Sequence, residues 1–263
     1  MQSKWIYGLL VFFLCKSITG WADVEGRVII ETDRTDIQEL YLDGPYSHCP
    51  IDSSAHGIYT IQVGELDPFP VFCNAKMAGP GWTVIARRTN KELNFFRDWD
   101  GYKRGFGDIT GDFFIGLDKL HAITKSQNQE LYVHLEDFEG NTRYAKYDEF
   151  HIESENQLYR MSKLGAFTGD AGDSMIENKN QKFSTYDRDN DNDKVNCAVE
   201  RMGAWWYNWY TWRTCTLFGI YVNGTVSSMN NKGISWVSWG GSGYSYKSIQ
   251  MMVRPKCSCP IKK

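Results

Sequence analysis

Residues 183–197 read Phe-Ser-Thr-Tyr-Asp-Arg-Asp-Asn-Asp-Asn-Asp-Lys-Val-Asn-Cys, which places carboxylates at Asp187, Asp189, Asp191 and Asp193 ahead of Cys197. Like charges at this spacing repel one another, and a hard divalent cation with oxygen ligands removes that penalty. The same carboxylates can also simply face water. An EF-hand loop needs oxygen ligands at its first, third and fifth positions, glycine at the sixth and a bidentate Glu at the twelfth. Counted from Asp189, the frame supplies Asp189, Asp191, Asp193 and Glu200. Lys194 stands where glycine is needed, however, and neither Phe183–Tyr186 nor Arg201–Trp205 resembles a flanking amphipathic helix. The stretch is therefore a calcium loop of another design or a solvated acidic turn.

Downstream lies the run Trp205-Trp-Tyr-Asn-Trp-Tyr-Thr-Trp212. Such rings either fill a core or line a ligand pocket, stacking on sugar or packing on an acetyl methyl. We expect Trp205 and Trp206 to be buried and the rings from Trp209 to Trp212 to be partly exposed. Upstream, strand-like runs such as Gly57–Val63, Val71–Cys73, Trp82–Arg87 and the alternating Leu131–Glu136 are separated by turns rich in Gly, Pro, Asn and Asp. Residues Asp118–Thr124 form the best short helix. This predicts one mixed α+β domain with much irregular structure.

The chain of 263 residues is 42% hydrophobic and carries a net charge of -3 with no long Lys/Arg run, which argues against a nucleic-acid binder or polybasic membrane anchor. Residues 1–22 join Lys4 to an apolar run from Trp5 to Cys15 and end in small residues, as a secretory signal peptide does. The run is too short for a membrane span, which takes about 20 apolar residues. Removal of that segment leaves Cys49, Cys73, Cys197, Cys215, Cys257 and Cys259, an even set suited to disulfides in an extracellular setting. Asn223-Gly-Thr225 is the only N-glycosylation acceptor. Residues 23–48 show no collagen triplets or sustained heptads. No metalloprotease, hydrolase, P-loop or dinucleotide motif occurs, so catalysis has no support.

Several segments stand in a fixed order: Gly57–Ile61, Gly81–Arg88, Asn94–Trp99, Tyr102–Gly107, Gly116–His121, Leu135–Tyr147, Gly169–Ser174, Phe183–Asp191, Asn196–Ala198, Trp205-Trp206 and Met252–Pro255. Together they resemble the fibrinogen C-terminal domain of fibrinogen chains, ficolins, tachylectin-like lectins and angiopoietins, over roughly residues 49–255. A tail with Cys-x-Cys then occupies residues 256–263.

The resemblance implies an α+β fold of mixed sheets with short helices and a loop-rich calcium- and ligand-binding subdomain. It implies disulfides Cys49–Cys73 and Cys197–Cys215, each closing a loop of about 20 to 25 residues and contributing roughly 3 kcal/mol. It also implies one calcium ion, held by the carboxylates of Asp189 and Asp191 and the backbone carbonyls of Asp193 and Val195, with Asp187 as an outer charge.

The sequence departs from the family beside that site. Relatives carry Asn-Cys-His soon after the Trp pair, with the cysteine five residues before Leu-Asn-Gly. Here Cys215 lies only two residues before Leu217-Phe-Gly219, Trp212 stands at the expected cysteine position, and no histidine follows. Asn230-Asn-Lys232 also lacks the aromatic residue of acetyl-binders and the acid of fibrinogen's knob pocket. The expected ligand surface is Trp209, Tyr210, Trp212, Asn231 and Tyr244. The leading reading is a secreted, calcium-stabilised lectin of innate-immune type that binds glycans or acetylated ligands. The alternative is a module that binds an extracellular protein, a receptor or matrix component, as in angiopoietin-like members. Cys257 and Cys259 are expected to bridge chains into a disulfide-linked homo-oligomer, because a relaxed disulfide between residues i and i+2 is rarely possible.

Overall fold

The computed structural model describes residues 45–208, 215–225 and 232–256 in full, together with the backbone of three strands between residues 20 and 41. Those strands, β1 (Gly20–Ala22), β2 (Arg27–Thr32) and β3 (Asp36–Tyr41), form an antiparallel ladder in that order. The sequence of β2, Arg-Val-Ile-Ile-Glu-Thr, begins with the alternating residues Arg27 to Glu31.

Three antiparallel strands begin the main sheet: β4 (Gly57–Ile61), β5 (Phe69–Cys73) and β6 (Thr83–Arg88). All three were readable as apolar runs. Cys49 is bonded to Cys73 with Cα atoms 5.6 Å apart, as expected, and Thr83 donates its hydroxyl to Cys49 Sγ at 3.1 Å. The bond ties the segment before β4 to β5, the strand next to the edge of the sheet.

Helix α1 (Trp99–Arg104), which periodicity alone did not reveal, starts where the Asp98 carboxylate accepts the Gly101 N–H at 2.8 Å. It buries Trp99 and Tyr102. The hairpin β7 (Phe106–Gly107) and β8 (Phe113–Phe114) follows and joins β6 through β8. Here the backbone crosses itself closely. Gly105 (φ +90°) and Gly116 (φ +103°) face each other's strands, and a Cβ on either would lie 2.5 Å from the Ile115 carbonyl or 2.6 Å from that of Arg104. No other residue fits those two positions.

Helix α2 (Leu117–Ser126) contains the predicted helix and buries Leu117, Leu120, Ile123 and Thr124 along one stripe. That stripe packs on β10. Strands β9 (Gln129–Glu136), β10 (Thr142–Ile152), β11 (Met161–Leu164) and β12 (Phe167–Gly169) complete one half of the sheet, with β11 and β12 both paired to β10. Two short pairs lie outside it: β13 (Cys215–Thr216) with β15 (Ser235–Trp236), and β14 (Gly224–Thr225) with β16 (Tyr244–Ser245). The four-residue helices α3 (Cys197–Glu200) and α4 (Val237–Gly240) complete this region.

The last strand, β17 (Ser248–Pro255), enters between β9 and β6 and gives the order β11-β10-β9-β17-β6-β5-β4. Ile249 to Val253 are all buried on it. The sequence accordingly shows a continuous run there rather than alternation. Irregular segments cover the sheet, and Trp99, Tyr102, Phe183, Trp205, Trp206 and Phe218 form an aromatic core beneath them. Trp205 and Trp206 are fully buried, as expected.

The expected bond between Cys197 and Cys215 is not formed; both thiols are free and buried. Cys197 Sγ lies 3.9 Å from the Asp193 carboxylate, whereas Cys215 Sγ faces Asn178 Oδ1 at 3.4 Å. Three residues nearer Leu217 than the family's cysteine, Cys215 falls inside β13, where pairing with Trp236 orients it.

Two predictions follow from this architecture. Replacing Cys49 and Cys73 together by alanine is expected to cost about 3 kcal/mol, because a loop closed across 24 residues is released in the unfolded chain. Urea melts, with a larger m-value because the released unfolded chain exposes more surface, would measure it, and a loss below about 1 kcal/mol would contradict it. The second concerns Glu155, which accepts from Lys103 Nζ and from Trp99 Nε1 at 2.8 Å, with Arg188 at 3.7 Å. Lys103, then Trp99, holds its carboxyl below the ordinary value of 4.5. Its contribution is therefore complete above that value and is lost as pH falls through the lower folded one. Glu155→Gln should cost at most about 1 kcal/mol at neutral pH, since the group is partly exposed. Acid melts of the variant should fall less steeply; parallel acid limbs would contradict the assignment.

Candidate functional site

The acidic stretch is a turn built from its own side chains. Ser184 and Trp205 exchange backbone hydrogen bonds at 3.0 and 3.2 Å, which anchors the entrance on the aromatic core. Thr185 and Arg188 close a second small ladder. The Asp187 carboxylate then accepts the Trp99 N–H at 2.9 Å and the Thr185 hydroxyl at 2.7 Å. Asp187 thus ties the turn to α1. Arg188 lays its guanidinium 4.7 Å from the Trp99 ring centroid on the same side.

Asp191 organises the turn's second half. Its Oδ1 accepts the Asp193 N–H at 2.9 Å and its Oδ2 the Cys197 N–H at 3.0 Å. Asn196 caps α3 by accepting from Ala198 and Val199, and donates back to the carbonyls of Thr185 and Tyr186. An Asn directly before a short helical stretch is a readable cap signal. Burial raises the Asp191 carboxyl above its ordinary value; the two N–H bonds oppose this, and the neighbouring Asp189 charge adds to it. Burial and the charges of Asp191 and Asp193 also push the Cys197 thiol up.

Four positions expected at a cation therefore share one turn. Asp191 is half-buried at its centre, Asp189 is exposed beside it, Asp193 is half-buried, and the Val195 side chain is 53% exposed. Lys194 donates its backbone N–H to Asp193 Oδ1 at 2.6 Å. Among the described residues, no three His, Cys, Asp or Glu side chains group as they would around a metal held by side chains alone. A cation here would need backbone carbonyls. The donor set suits that: oxygen atoms only, with an electrostatic penalty on Asp191 that a divalent cation would relieve.

The expected ligand residues divide. Trp209, Tyr210, Trp212 and Asn231 lie outside the described residues, as do Cys257 and Cys259. Tyr244 stands in β16, with its hydroxyl accepting the Phe138 N–H at 3.1 Å and donating to Glu139 at 2.8 Å. It braces the turn after β9 and is not part of the acidic turn. Asn223 is exposed just before β14. Asn208 and Cys215, at either end of the segment carrying the rings, are held by the same turn, through Asn208 Nδ2 to the Glu177 carbonyl at 2.8 Å and the Cys215 N–H to the Ser174 carbonyl at 3.0 Å.

This fold matches known proteins. Residues 48–256 fit the family described as the C-terminal globular domain of fibrinogen beta and gamma chains. Human angiopoietin-related protein 1 is 37% identical over 218 residues, which are 81% of this chain and 44% of that protein, and the bovine protein matches equally. The chain spans less than half the length of these relatives. The fibrinogen-like globe domain of human ANGPTL2 superimposes with a TM-score of 0.75 at 35% identity, covering 81% of this chain and all of that one. That of human ANGPTL6 gives the same score at 37% identity, covering 81% of this chain and 96% of that one. Lamprey fibrin D-dimer, complexed with the peptide Gly-His-Arg-Pro-amide, gives 0.72 at 27% identity, covering 98% of this chain and 84% of that one. The chain belongs to the fibrinogen C-terminal domain family, as a binding module and not an enzyme.

Proposed function

We propose that this domain is a secreted module that recognises an extracellular protein, a receptor or matrix component, and that one calcium ion braces its acidic turn. The 37% identity to angiopoietin-related protein 1 across the whole domain carries this reading. Two further observations support it. The residues that would mark an acetyl pocket are displaced or absent around Cys215 and Lys232, and the lamprey relative holds a peptide. The signal-like leader and the Cys49–Cys73 bond suit secretion. In the same reading Asn223 carries the glycan, and Cys257 and Cys259 join copies of the chain.

Calcium is assigned to the carboxylates of Asp189 and Asp191 and the carbonyls of Asp193 and Val195, where it would offset the crowding of charge. Its role is structural: the turn holds α1 through Asp187 and starts α3 through Asp191 and Asn196.

Two measurements test these assignments. The secreted full chain, probed against arrays of extracellular ectodomains and of plain and acetylated glycans, is expected to bind on the protein array and stay silent on the glycans. Saturable binding confined to acetylated sugars would overturn the reading in favour of a lectin. Calcium at a hundredfold excess over its Kd is expected to stabilise the fold by about 2.7 kcal/mol relative to chelator. Asp189→Ala should abolish that gain with little change in chelator, because its exposed carboxylate is not part of the turn's hydrogen bonding. Identical melts with calcium and chelator would remove the metal from the proposal.

A further inference from the structure

Arg88, the last residue of β6, is only 1% exposed. One Nη donates to the Leu217 carbonyl at 3.3 Å and to that of Gly219, and the guanidinium lies 4.2 Å from the Phe95 ring centroid. Its Nε–H has no partner, and among the described residues no carboxylate reaches it as an ion pair. A buried cation without a counter-charge is costly, and folded proteins normally pair or neutralise such a group. Burial lowers this guanidinium to about 10, with Asp112 and the neighbouring tyrosines opposing the shift only in part.

The same residue lines a cavity of about 270 Å³ that no part of the acidic turn enters. Its apolar walls include Leu93, Phe95, Phe96 and Met202, and Lys91, exposed, stands at it as a second cation with no ion pair among the described residues. Among the described residues no Asp or Glu lines it. Met202 follows α3 in a left-handed conformation, φ 54°, where glycine is usual and a long side chain is strained. The chain therefore places a thioether on the cavity wall at a position that normally has no side chain.

We infer that this cavity binds the carboxylate of an apolar acid, with Arg88 and Lys91 supplying the positive charge and Phe95, Phe96, Leu93 and Met202 enclosing the apolar body. The volume is below that of drug-sized sites and suits a single amino-acid residue or a small monocarboxylate. One Nη is spent on the Leu217 and Gly219 carbonyls, so Arg88 would act on the carboxylate through its charge and its remaining donors. The carboxylate has two sources, a free acid or the C-terminus of a polypeptide. The assignment does not depend on calcium or on the partner proposed above.

The test titrates the intact chain, by calorimetry and heteronuclear NMR, with N-acetylphenylalanine, with the peptide Gly-Ala-Phe, and with the C-terminal amide of each. At least one acid is expected to bind, with its amide weaker by about tenfold or more. Binding of the peptide alone assigns the site to a polypeptide C-terminus; binding of both assigns it to small apolar acids in general. Lys91→Glu and Met202→Gly, which alter the cavity without touching the Arg88 hydrogen bonds, should each weaken acid binding by about tenfold while leaving the melting temperature in chelator no lower. Equal binding of acid and amide, no saturation with any probe, or full affinity in both variants would overturn the inference and leave Arg88 as a brace for residues 217–219.

Discussion

The sheet cannot close until its last strand arrives. β17 lies between β9 and β6, and without it the two halves of the domain share no ladder. Met251 sits opposite Val133 on one side and Ala86 on the other, so residues separated by well over a hundred positions must meet before the central strand is paired. Such non-local pairing is entropically expensive and slow to form. The Cys49–Cys73 bond and the β4–β5–β6 meander secure one half locally, which leaves the final insertion as the step that joins it to β9 and β10.

Over this sheet lies much chain with little regular structure, and buried backbone groups there still need partners. Aspartate and asparagine side chains supply them. Asp112 accepts from Thr89 and Asn90, Asp137 from Glu139 and Asn141, Asp173 from Met175 and Ile176, and Asn74 from Lys76 and Met77. Asp187, Asp191 and Asn196 do the same in the acidic turn. A carboxylate accepting several N–H bonds replaces a strand ladder where no neighbouring strand exists. The abundance of Asp and Asn in this chain is therefore largely architectural, and that is why a count of acids alone could not separate a cation site from a turn.

The strands from Gly57, Val71, Trp82 and Leu131 and the helix at Asp118 were legible because each has one buried face or a compact apolar run. β17 was legible only as part of the motif Met252–Pro255, since burial on both faces erases alternation. α1 is six residues long, too short for periodicity, although Asp98 three positions before Gly101 is its cap. The acidic turn was visible in composition, but the division of labour within it was not: Asp187 and Asp191 spend their oxygens on Trp99, Asp193 and Cys197, contacts that depend on the tertiary fold. In sequence Arg88 is only the last residue of the motif Gly81–Arg88. What sets it apart is that no carboxylate among the described residues pairs with it in three dimensions, and sequence does not display absences of that kind.

The unformed bond at Cys215 leaves the two sides of this region on separate supports. The acidic turn is held from below by Trp99, from within by Asp191, and at its exit by the Asn196 cap; none of these contacts passes through Cys215. The segment from Asn208 to Cys215 is held separately, at both ends, by backbone carbonyls in the 174–177 turn. Turn and segment thus rest on different supports, both fixed to the Trp205–Trp206 core through the Ser184 bridge and through Asn178, whose amide donates to the Trp206 carbonyl at 2.8 Å. With a covalent strap between Cys197 and Cys215, a two-residue insertion would have to distort one side or the other. Without it the turn and the anchors at Asn208 and Cys215 are held by separate hydrogen bonds, so a change between those two anchors leaves the turn's own contacts intact.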